Sequence, residues 1–123
     1  MKRPSHKELY NKIRGAKEAV SSGLVNIINQ EVIACDALEL DYLIESDLLN
    51  VLSSLLGEIS PDNYVGKKPP EKSYEHKIQN MDLFAFRMDS SWFKCKVYLK
   101  FALYDGELWL VSLHQHRERK EVS

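Results

Sequence analysis

The feature that most constrains this sequence is the segment Trp92–Leu103, in which apolar and polar side chains alternate. This period of two residues is the pattern of a β-strand with one buried face. Asp105-Gly106 then predicts a turn, and Glu107–His116 predicts a second, antiparallel strand. One face of the first strand would carry Phe93, Cys95, Val97, Leu99, Phe101 and Leu103, and the other Trp92, Lys94, Lys96, Tyr98, Lys100 and Ala102.

The register of this hairpin decides which side chains share a face. A two-residue turn at Asp105-Gly106 would set Leu99 opposite Ser112 and mix apolar with polar side chains. A three-residue turn that begins at Tyr104 would set Leu99 opposite Val111, so we expect this register. It puts Tyr98 opposite Ser112 and collects cationic and hydroxyl side chains on the solvent face. That set is Lys94, Lys96, Tyr98, Lys100, Ser112 and His114, with His116 and Arg117 just beyond.

The start of the chain predicts an amphipathic helix. Ser5 and Glu8 form a capping box, in which each side chain bonds the backbone N–H of the other residue. Apolar residues then recur at helical spacing from Leu9 to Val20, and Gly23 is a suitable stop.

Two further helices are predicted in the first half. One runs from about Gln30 to Leu40, and the other from about Asp47 to Leu56, where Gly57 ends it. The former would face inward with Val32, Cys35 and Leu38, and the latter with Leu48, Leu49, Val51, Leu52, Leu55 and Leu56. The segment Leu24–Ile28 is either a short strand or an extended connection, and its pattern leaves both open.

The proline positions divide the chain without splitting it into domains. Residues 58–80 contain three of the four prolines and predict a loop. The helical part at about 5–57 and the sheet part at about 82–116 are each too small to bury a good core alone. We therefore expect a single domain over residues 1–123, ending in a basic tail at 117–123. The predicted class is α+β, with N-terminal helices packed on one face of a small antiparallel sheet.

The formal net charge of −1 conceals a strong asymmetry along the chain. Residues 1–18 carry six basic and two acidic side chains, and residues 67–123 carry eleven and eight. Residues 19–66 carry eight acidic side chains and neither lysine nor arginine. Sorting of this kind predicts a basic surface suited to nucleic acid and an acidic surface suited to a cationic partner, although solvated helix faces would look the same.

Several classes of protein are excluded by the remaining features. Apolar runs are too short to span a bilayer, and the basic N-terminus lacks the apolar core of a secretory signal. Cys35 and Cys95 lie far apart outside any paired motif, so we expect reduced, buried thiols in a cytoplasmic protein. The pair His114-x-His116 lacks a third and fourth ligand, so we expect neither a metal nor another cofactor.

The solvent face of the hairpin could bind or cleave a phosphodiester. Lysines neutralise phosphate charge, and Tyr98 can stack on a base. RNA can also be cleaved there without metal, if a base takes the 2′-OH proton and an acid protonates the leaving 5′ oxygen. Histidine exchanges protons nearest to neutral pH, so His114 is the natural proton-transfer group. The alternative is that these side chains serve only solubility. The predicted RNA-binding residues are Lys94, Lys96, Lys100, Ser112, His116 and Arg117.

Four short motifs follow one another between residues 59 and 114. They are Ile59-Ser60-Pro61-Asp62-Asn63-Tyr64-Val65-Gly66, Leu83-Phe84-Ala85-Phe86, Lys96-Val97-Tyr98-Leu99-Lys100 and Val111-Ser112-Leu113-His114. Their order and spacing resemble the MqsR-like toxins of bacterial toxin–antitoxin systems, which belong with the RelE-type ribonuclease fold. The resemblance covers roughly residues 24–116. The resemblance implies helices on an antiparallel sheet, metal-independent mRNA cleavage and a cognate antitoxin as partner.

The resemblance also implies roles for individual residues. Tyr98 matches the active tyrosine of the family, and His114 occupies the position of its basic group. Lys67 or Lys68 lies close to where a catalytic lysine is expected, whereas the glutamine of the family would fall near Ala85, where this chain has none. The first hypothesis is therefore a toxin-type endoribonuclease. The alternatives are a non-catalytic RNA- or protein-binding module and a small ligand-binding domain.

Overall fold

Three helices pack on a five-stranded sheet in this computed structural model, which describes residues 4–66, 70–73 and 75–116. The strand order is β1-β5-β4-β3-β2. The helices are α1 (His6–Ser21), α2 (Gln30–Leu40) and α3 (Ile44–Glu58), and short 3-10 turns lie at Pro61–Asn63 and His76–Ile78. The strands are β1 (Val25–Ile27), β2 (Glu71–Lys72), β3 (Asp82–Ser90), β4 (Cys95–Tyr104) and β5 (Glu107–Gln115).

The predicted α+β class is confirmed, with one difference in the sheet. The strands β2, β3, β4 and β5 pair antiparallel, but β1 pairs parallel with β5. The sheet is mixed because β1 is followed by α2 and α3 rather than by a hairpin, and such a connection permits parallel pairing. Within the described part of the chain, no helix has the length and apolar character needed to cross a membrane.

Helix α1 forms as predicted, but its cap is one half of the predicted capping box. The Ser5 hydroxyl accepts a hydrogen bond from the Glu8 backbone N–H at 3.0 Å, and among the described residues the reciprocal bond from the Ser5 N–H to the Glu8 carboxylate is not formed. The apolar stripe from Leu9 to Val20 is buried. Gly23 has a φ of +73°, the left-handed conformation in which glycine commonly ends a helix.

Helix α2 has the predicted bounds, but its predicted inward face is wrong. Ile33, Ala37 and Leu40 are buried, whereas Cys35 is exposed and Leu38 is 79% exposed. The helix is apolar around most of its circumference, so the pattern alone does not select a face. Packing against β5 selects it instead.

Helix α3 begins three residues before the predicted start. The first helical residue is Ile44, and Asp47 follows within the helix. The Asp47 carboxylate accepts a hydrogen bond from the backbone N–H of Leu43, the residue before the helix, at 3.0 Å. Gly57 lies inside the last turn, and the helix ends at Glu58. The predicted apolar stripe is otherwise buried, with the exception of the exposed Leu49.

One apolar core lies between the helices and one face of the sheet. From the sheet, Phe86, Leu99 and Phe101 are fully buried, and the rings of Phe86 and Phe101 stack with centroids 5.8 Å apart. The helices contribute apolar residues such as Leu9, Ile33, Leu52 and Leu55. This packing fixes which face of each strand is turned away from the helices.

The hairpin register differs from the predicted one. The turn has two residues, Asp105 and Gly106, with φ values of +55° and +77°. Two left-handed residues define the turn type whose twist suits a hairpin. In a uniform ladder this turn would place Leu99 opposite Ser112. A β-bulge prevents that pairing, because it shifts the register by one residue between Phe101 and Lys100.

The shift changes every cross-strand pair beyond the bulge. Phe101 pairs with Leu110 on the turn side, and Leu99 pairs with Leu113 on the far side. Tyr98 consequently lies opposite His114, not opposite Ser112 as predicted. Apolar pairs face the helices from Leu103–Leu108 as far as Leu99–Leu113, and the last pair joins the buried Val97 to the exposed Gln115.

A second, smaller apolar cluster covers part of the opposite sheet face. Ile78, Leu83 and Ala102 are buried there, and Trp109 and Val111 pack against them. The sequence placed Trp109 and Val111 on the helical side, which the bulge and the two-residue turn contradict. The polar surface is therefore confined to the end of the sheet remote from the hairpin turn.

The turn at Gly106 gives a stability prediction. Replacement by alanine places a Cβ in the left-handed region, so Gly106→Ala should lower the free energy of unfolding by about 1 kcal/mol. Urea denaturation measures this change. Gly57→Ala is the matched control, because Gly57 is helical and no described atom lies within 4 Å of the added Cβ. It should raise stability by ~0.5–1 kcal/mol, and equal effects of the two variants would contradict the turn assignment.

Tyr42 is an unusual buried residue between α2 and α3. Its side chain is 6% exposed, and its hydroxyl has no hydrogen-bond partner among the described residues. Burial, together with the nearby Asp36 carboxylate, raises the pKa of Tyr42 to about 12. The folded protein therefore holds this phenol neutral at pH values where the unfolded chain ionises.

A comparison of the wild type with Tyr42→Phe tests this arrangement. At pH 7 the variant should be more stable by ~1 kcal/mol, since an unpaired buried hydroxyl is removed. Below pH 10 the Tyr42 phenol is neutral in both the folded and the unfolded wild type. Between pH 10 and 12 only the unfolded chain ionises at Tyr42, so the wild type should lose a further ~1.4 kcal/mol per pH unit relative to the variant. Denaturation across this range measures the difference, and the exposed Tyr104→Phe is the control. A difference that does not grow with pH would contradict the raised pKa.

Candidate functional site

Three adjacent strands place one row of polar side chains on the sheet face opposite the helices. Arg87 on β3 pairs with Tyr98 on β4, and Tyr98 pairs with His114 on β5. Their strand neighbours Phe86, Leu99 and Leu113 lie in the helical core, and side chains alternate between faces. The row therefore projects away from the core.

The row lines a shallow depression of about 310 Å³. Val65 and His116 complete its lining. Val65 is held beside β3 because its N–H donates to the Ala85 carbonyl at 2.9 Å. The next residue is Gly66, where a Cβ would stand 2.6 Å from the Tyr64 hydroxyl oxygen. Any other residue at this position would therefore require the Tyr64 ring to shift.

Tyr98 and His114 form a stacked pair at the centre of the depression. Their ring centroids are 5.1 Å apart, and the ring planes differ by 22°. Nδ1 of His114 lies 2.8 Å from the Gln115 carbonyl oxygen. A carbonyl can only accept, so the hydrogen-bond geometry assigns a proton to Nδ1. In the neutral ring Nε2 then has a free lone pair, and it pairs with no described residue.

The lysines beside this row are paired with carboxylates. Lys100 lies opposite Ala85 and Ser112 in the next row, and its Nζ is 3.4 Å from a Glu71 carboxylate oxygen. Lys96 lies on the other side of the row and pairs with Asp89 at 3.5 Å. Both ion pairs reduce the charge that these lysines offer to a ligand.

Arg87 is the cation that sequence reasoning missed. It is exposed, it lines the depression, and it has no carboxylate partner among the described residues. A signal was present, since Arg87 is the one charged side chain in the run Leu83–Met88. The run alternates only loosely, because Leu83 and Ala85 are buried on the polar side of the sheet.

The structure brings some of the predicted residues together and separates others. Tyr98, His114 and His116 line one depression, and Ser112 lies in the neighbouring row. The predicted strand position of Lys94 is wrong. Residues 91–94 form a turn, and Lys94 has a φ of +58° within it. Lys67, Lys68 and Arg117 lie outside the described residues.

The two cysteines differ in their environments. Cys35 is exposed on α2, contrary to the predicted burial, and Cys95 is half-buried at the start of β4. Both are free thiols. Within residues 4–66, 70–73 and 75–116, no group of three or more histidine, cysteine, aspartate or glutamate side chains could hold a metal ion.

No protein-family model matches the chain, and no curated protein matches it. What the site can do therefore follows from its own side chains. A guanidinium, a phenol and two imidazoles line the depression, and none of its described lining residues is acidic. This set suits an anionic ligand rich in oxygen, such as a phosphodiester.

Proposed function

We propose that this protein is a metal-independent endoribonuclease of the toxin type, with its active centre at the row Arg87, Tyr98 and His114. The observation that supports this most directly is the stacked Tyr98–His114 pair, with Nε2 of His114 available in a depression that Arg87 also lines. The resemblance of the motifs to MqsR-like toxins supports the same class. This resemblance also implies a cognate antitoxin as the partner and mRNA in the cytoplasm as the substrate.

In the proposed reaction, Nε2 of His114 accepts the proton of a ribose 2′-OH. The 2′ oxygen attacks the adjacent phosphorus, and the bond from phosphorus to the 5′ oxygen breaks. The leaving 5′ oxygen takes a proton from the Tyr98 hydroxyl or from water, and solvent exchange restores both groups. The products are a 2′,3′-cyclic phosphate and a free 5′-OH. General acid–base transfer of this kind contributes ~10²–10⁴-fold to the rate.

Arg87 supplies the electrostatic part of the mechanism. Charge accumulates on the non-bridging oxygens as the 2′ oxygen attacks, and a guanidinium donates hydrogen bonds to two such oxygens at once. The Tyr98 ring also offers a surface on which a base can stack. Lys96 and Lys100 lie at the edges of the site, where their ion pairs with Asp89 and Glu71 reduce their contribution. Lys67 and Lys68 remain predicted contributors.

An RNA cleavage assay in EDTA tests the proposal. Purified protein should cut single-stranded RNA and leave 2′,3′-cyclic or 3′-phosphate ends. His114→Ala should lower the rate by about 100-fold or more, because the proton-transfer group is lost. The matched control is His76→Ala, since His76 lies in a 3-10 turn and outside the lining of the depression.

The wild type and both variants are then tested on mRNA that is being translated in a cell extract. This second assay detects an enzyme that cleaves mRNA only on the ribosome. Cleavage that requires a divalent metal would contradict the mechanism. Activity retained by His114→Ala would remove His114 from its role, and the absence of His114-dependent cleavage in both assays would exclude the proposed enzyme.

A non-catalytic RNA-binding module is the second candidate. Ala85 favours it, because the resemblance implies a glutamine near this position and the alanine side chain offers no polar group. The ion pairs of Lys96 and Lys100 also favour a binding module. They leave Arg87 as the cation of the depression that has no carboxylate partner among the described residues. Binding without cleavage would distinguish this candidate.

Arg87 should dominate RNA affinity under both candidates. An oligoribonucleotide with 2′-O-methyl groups has no nucleophile, so its binding can be measured without cleavage. Arg87→Gln should weaken binding and reduce the slope of log K against log salt concentration by ~0.7, which corresponds to one phosphate contact on a single strand. Arg14→Gln on α1 is the control, because Arg14 pairs with Glu18 away from the depression. Equal effects of the two variants would show that binding is general charge attraction.

A further inference from the structure

Helix α2 has more apolar surface than the fold covers. Its buried face carries Ile33, Ala37 and Leu40, yet Leu38 is 79% exposed and Val32 is also exposed. A helix that is apolar around most of its circumference is normally buried on all sides. The outer face of α2 therefore lacks a covering element among the described residues.

This outer face continues into a groove between α2 and the start of α3. Leu43, which is 67% exposed, forms one side of the groove together with Ile44. The groove has a volume of about 510 Å³, and its lining is largely apolar: Ala34, Ala37, Leu38, Tyr42, Leu43, Ile44, Glu45 and Ser46. Exposed apolar grooves of this kind mark sites of protein association.

The surroundings of the groove are acidic. Glu45 is part of the lining, and Asp41 and Asp47 flank the segment that forms one side. The whole stretch 19–66, to which α2 and α3 belong, contains no lysine or arginine. An apolar floor with anionic borders selects a ligand that is apolar on one side and cationic on the other.

Tyr42 contributes to the lining of this groove. It is 6% exposed, and its hydroxyl oxygen is buried and inaccessible to a molecule in the groove. The part of Tyr42 that an occupant can contact is therefore apolar, which adds to the apolar character of the lining.

We propose that the groove binds an amphipathic helical segment of a protein partner, with leucine-type residues on one face and lysine or arginine beside them. The carboxylates disfavour RNA and anionic membranes as occupants. The tail 117–123 is a poor occupant, because its composition includes Val122 as its one apolar residue. The basic α1 of a second copy is also unsuitable, because its apolar stripe is buried in its own core.

The proposed docking surface is independent of the proposed cleavage. The groove belongs to the helical layer, and the Arg87–Tyr98–His114 row lies on the opposite face of the sheet. A partner in the groove leaves the depression open to substrate. The two proposals can therefore fail separately.

Fluorescence anisotropy with a labelled synthetic peptide tests the proposal on the full chain. The probe is a helix of about 18 residues, or five turns, with leucine on one face and lysine on the other. A scrambled peptide of the same composition should bind at least tenfold more weakly. Leu38→Ser should also lower affinity about tenfold, because an apolar anchor is lost. Glu45→Lys should weaken binding and remove part of its salt dependence.

Two matched variants distinguish the groove from general attraction. Leu24→Ser replaces an exposed leucine outside the lining, and Glu8→Lys reverses a charge on α1. Both should bind the probe like the wild type, and circular dichroism verifies that all four variants are folded. Affinity unchanged by Leu38→Ser, or equal binding of the scrambled peptide, would overturn the proposal.

Sedimentation of the chain without peptide tests the remaining occupant. A monomer in both the wild type and Leu38→Ser supports an external partner. A dimer that Leu38→Ser dissociates would assign the groove to a second copy of the chain and overturn the proposal. RNA cleavage by Leu38→Ser should equal that of the wild type, whichever occupant is correct.

Discussion

The pairing of β4 with β5 is the constraint on which the rest of the structure depends. The two-residue turn at Asp105-Gly106 sets one register, and the bulge changes it by one residue. Without that change Leu99 would lie opposite Ser112, and Tyr98 would lie opposite Leu113. The core and the polar row would both be mixed. A single inserted residue thus keeps apolar side chains on the helical face on both sides of the bulge, and it leaves Tyr98 and His114 together on the opposite face.

The hairpin could be predicted from the sequence, but its register could not. Alternation in Trp92–Leu103 identified a strand with one buried face, and Val97, Leu99 and Phe101 are fully buried as expected. In a uniform ladder without a bulge, the two-residue turn would mix apolar with polar side chains, and the predicted register excluded it for that reason. Asp-Gly strongly favours that turn, since both residues tolerate a left-handed conformation. The local turn preference prevailed, and the bulge accommodated the apolar pattern.

Helix α2 shows a different limit of sequence patterns. Its bounds match the prediction, and in the structure the Asn29 side chain caps the helix by accepting a hydrogen bond from the Val32 N–H. Its orientation could not be predicted, because the stripe through Ile33 and Ala37 and the stripe through Cys35 and Leu38 are both apolar. Only tertiary packing chooses between two such stripes. The same ambiguity leaves one stripe exposed, and that stripe forms part of the acidic groove.

The candidate site was partly predictable for a related reason. Tyr98 and His114 both belong to strands with clear alternation, so their common face could be inferred even though the predicted register was wrong. Arg87 could not be placed, because β3 is buried on both sides near Leu83 and Ala85. A strand covered on both faces loses the alternation that identifies its exposed side chains.

The position of the bulge connects the fold to the site. β1 pairs with β5 over Leu108–Leu110, and the register shift begins at the next residue, Val111. Beyond Leu110 the described sheet has a neighbour of β5 on the β4 side alone, so the part of β5 that carries His114 forms a sheet edge. Exposed edges invite pairing with other chains, and bulges are a common protection against it. The residue that turns Ser112 and His114 toward the polar face therefore lies at the point where the parallel pairing ends. The same register shift places Leu113 opposite Leu99 in the core and His114 opposite Tyr98 in the polar row, so the packing of Leu113 and the position of His114 depend on one structural feature.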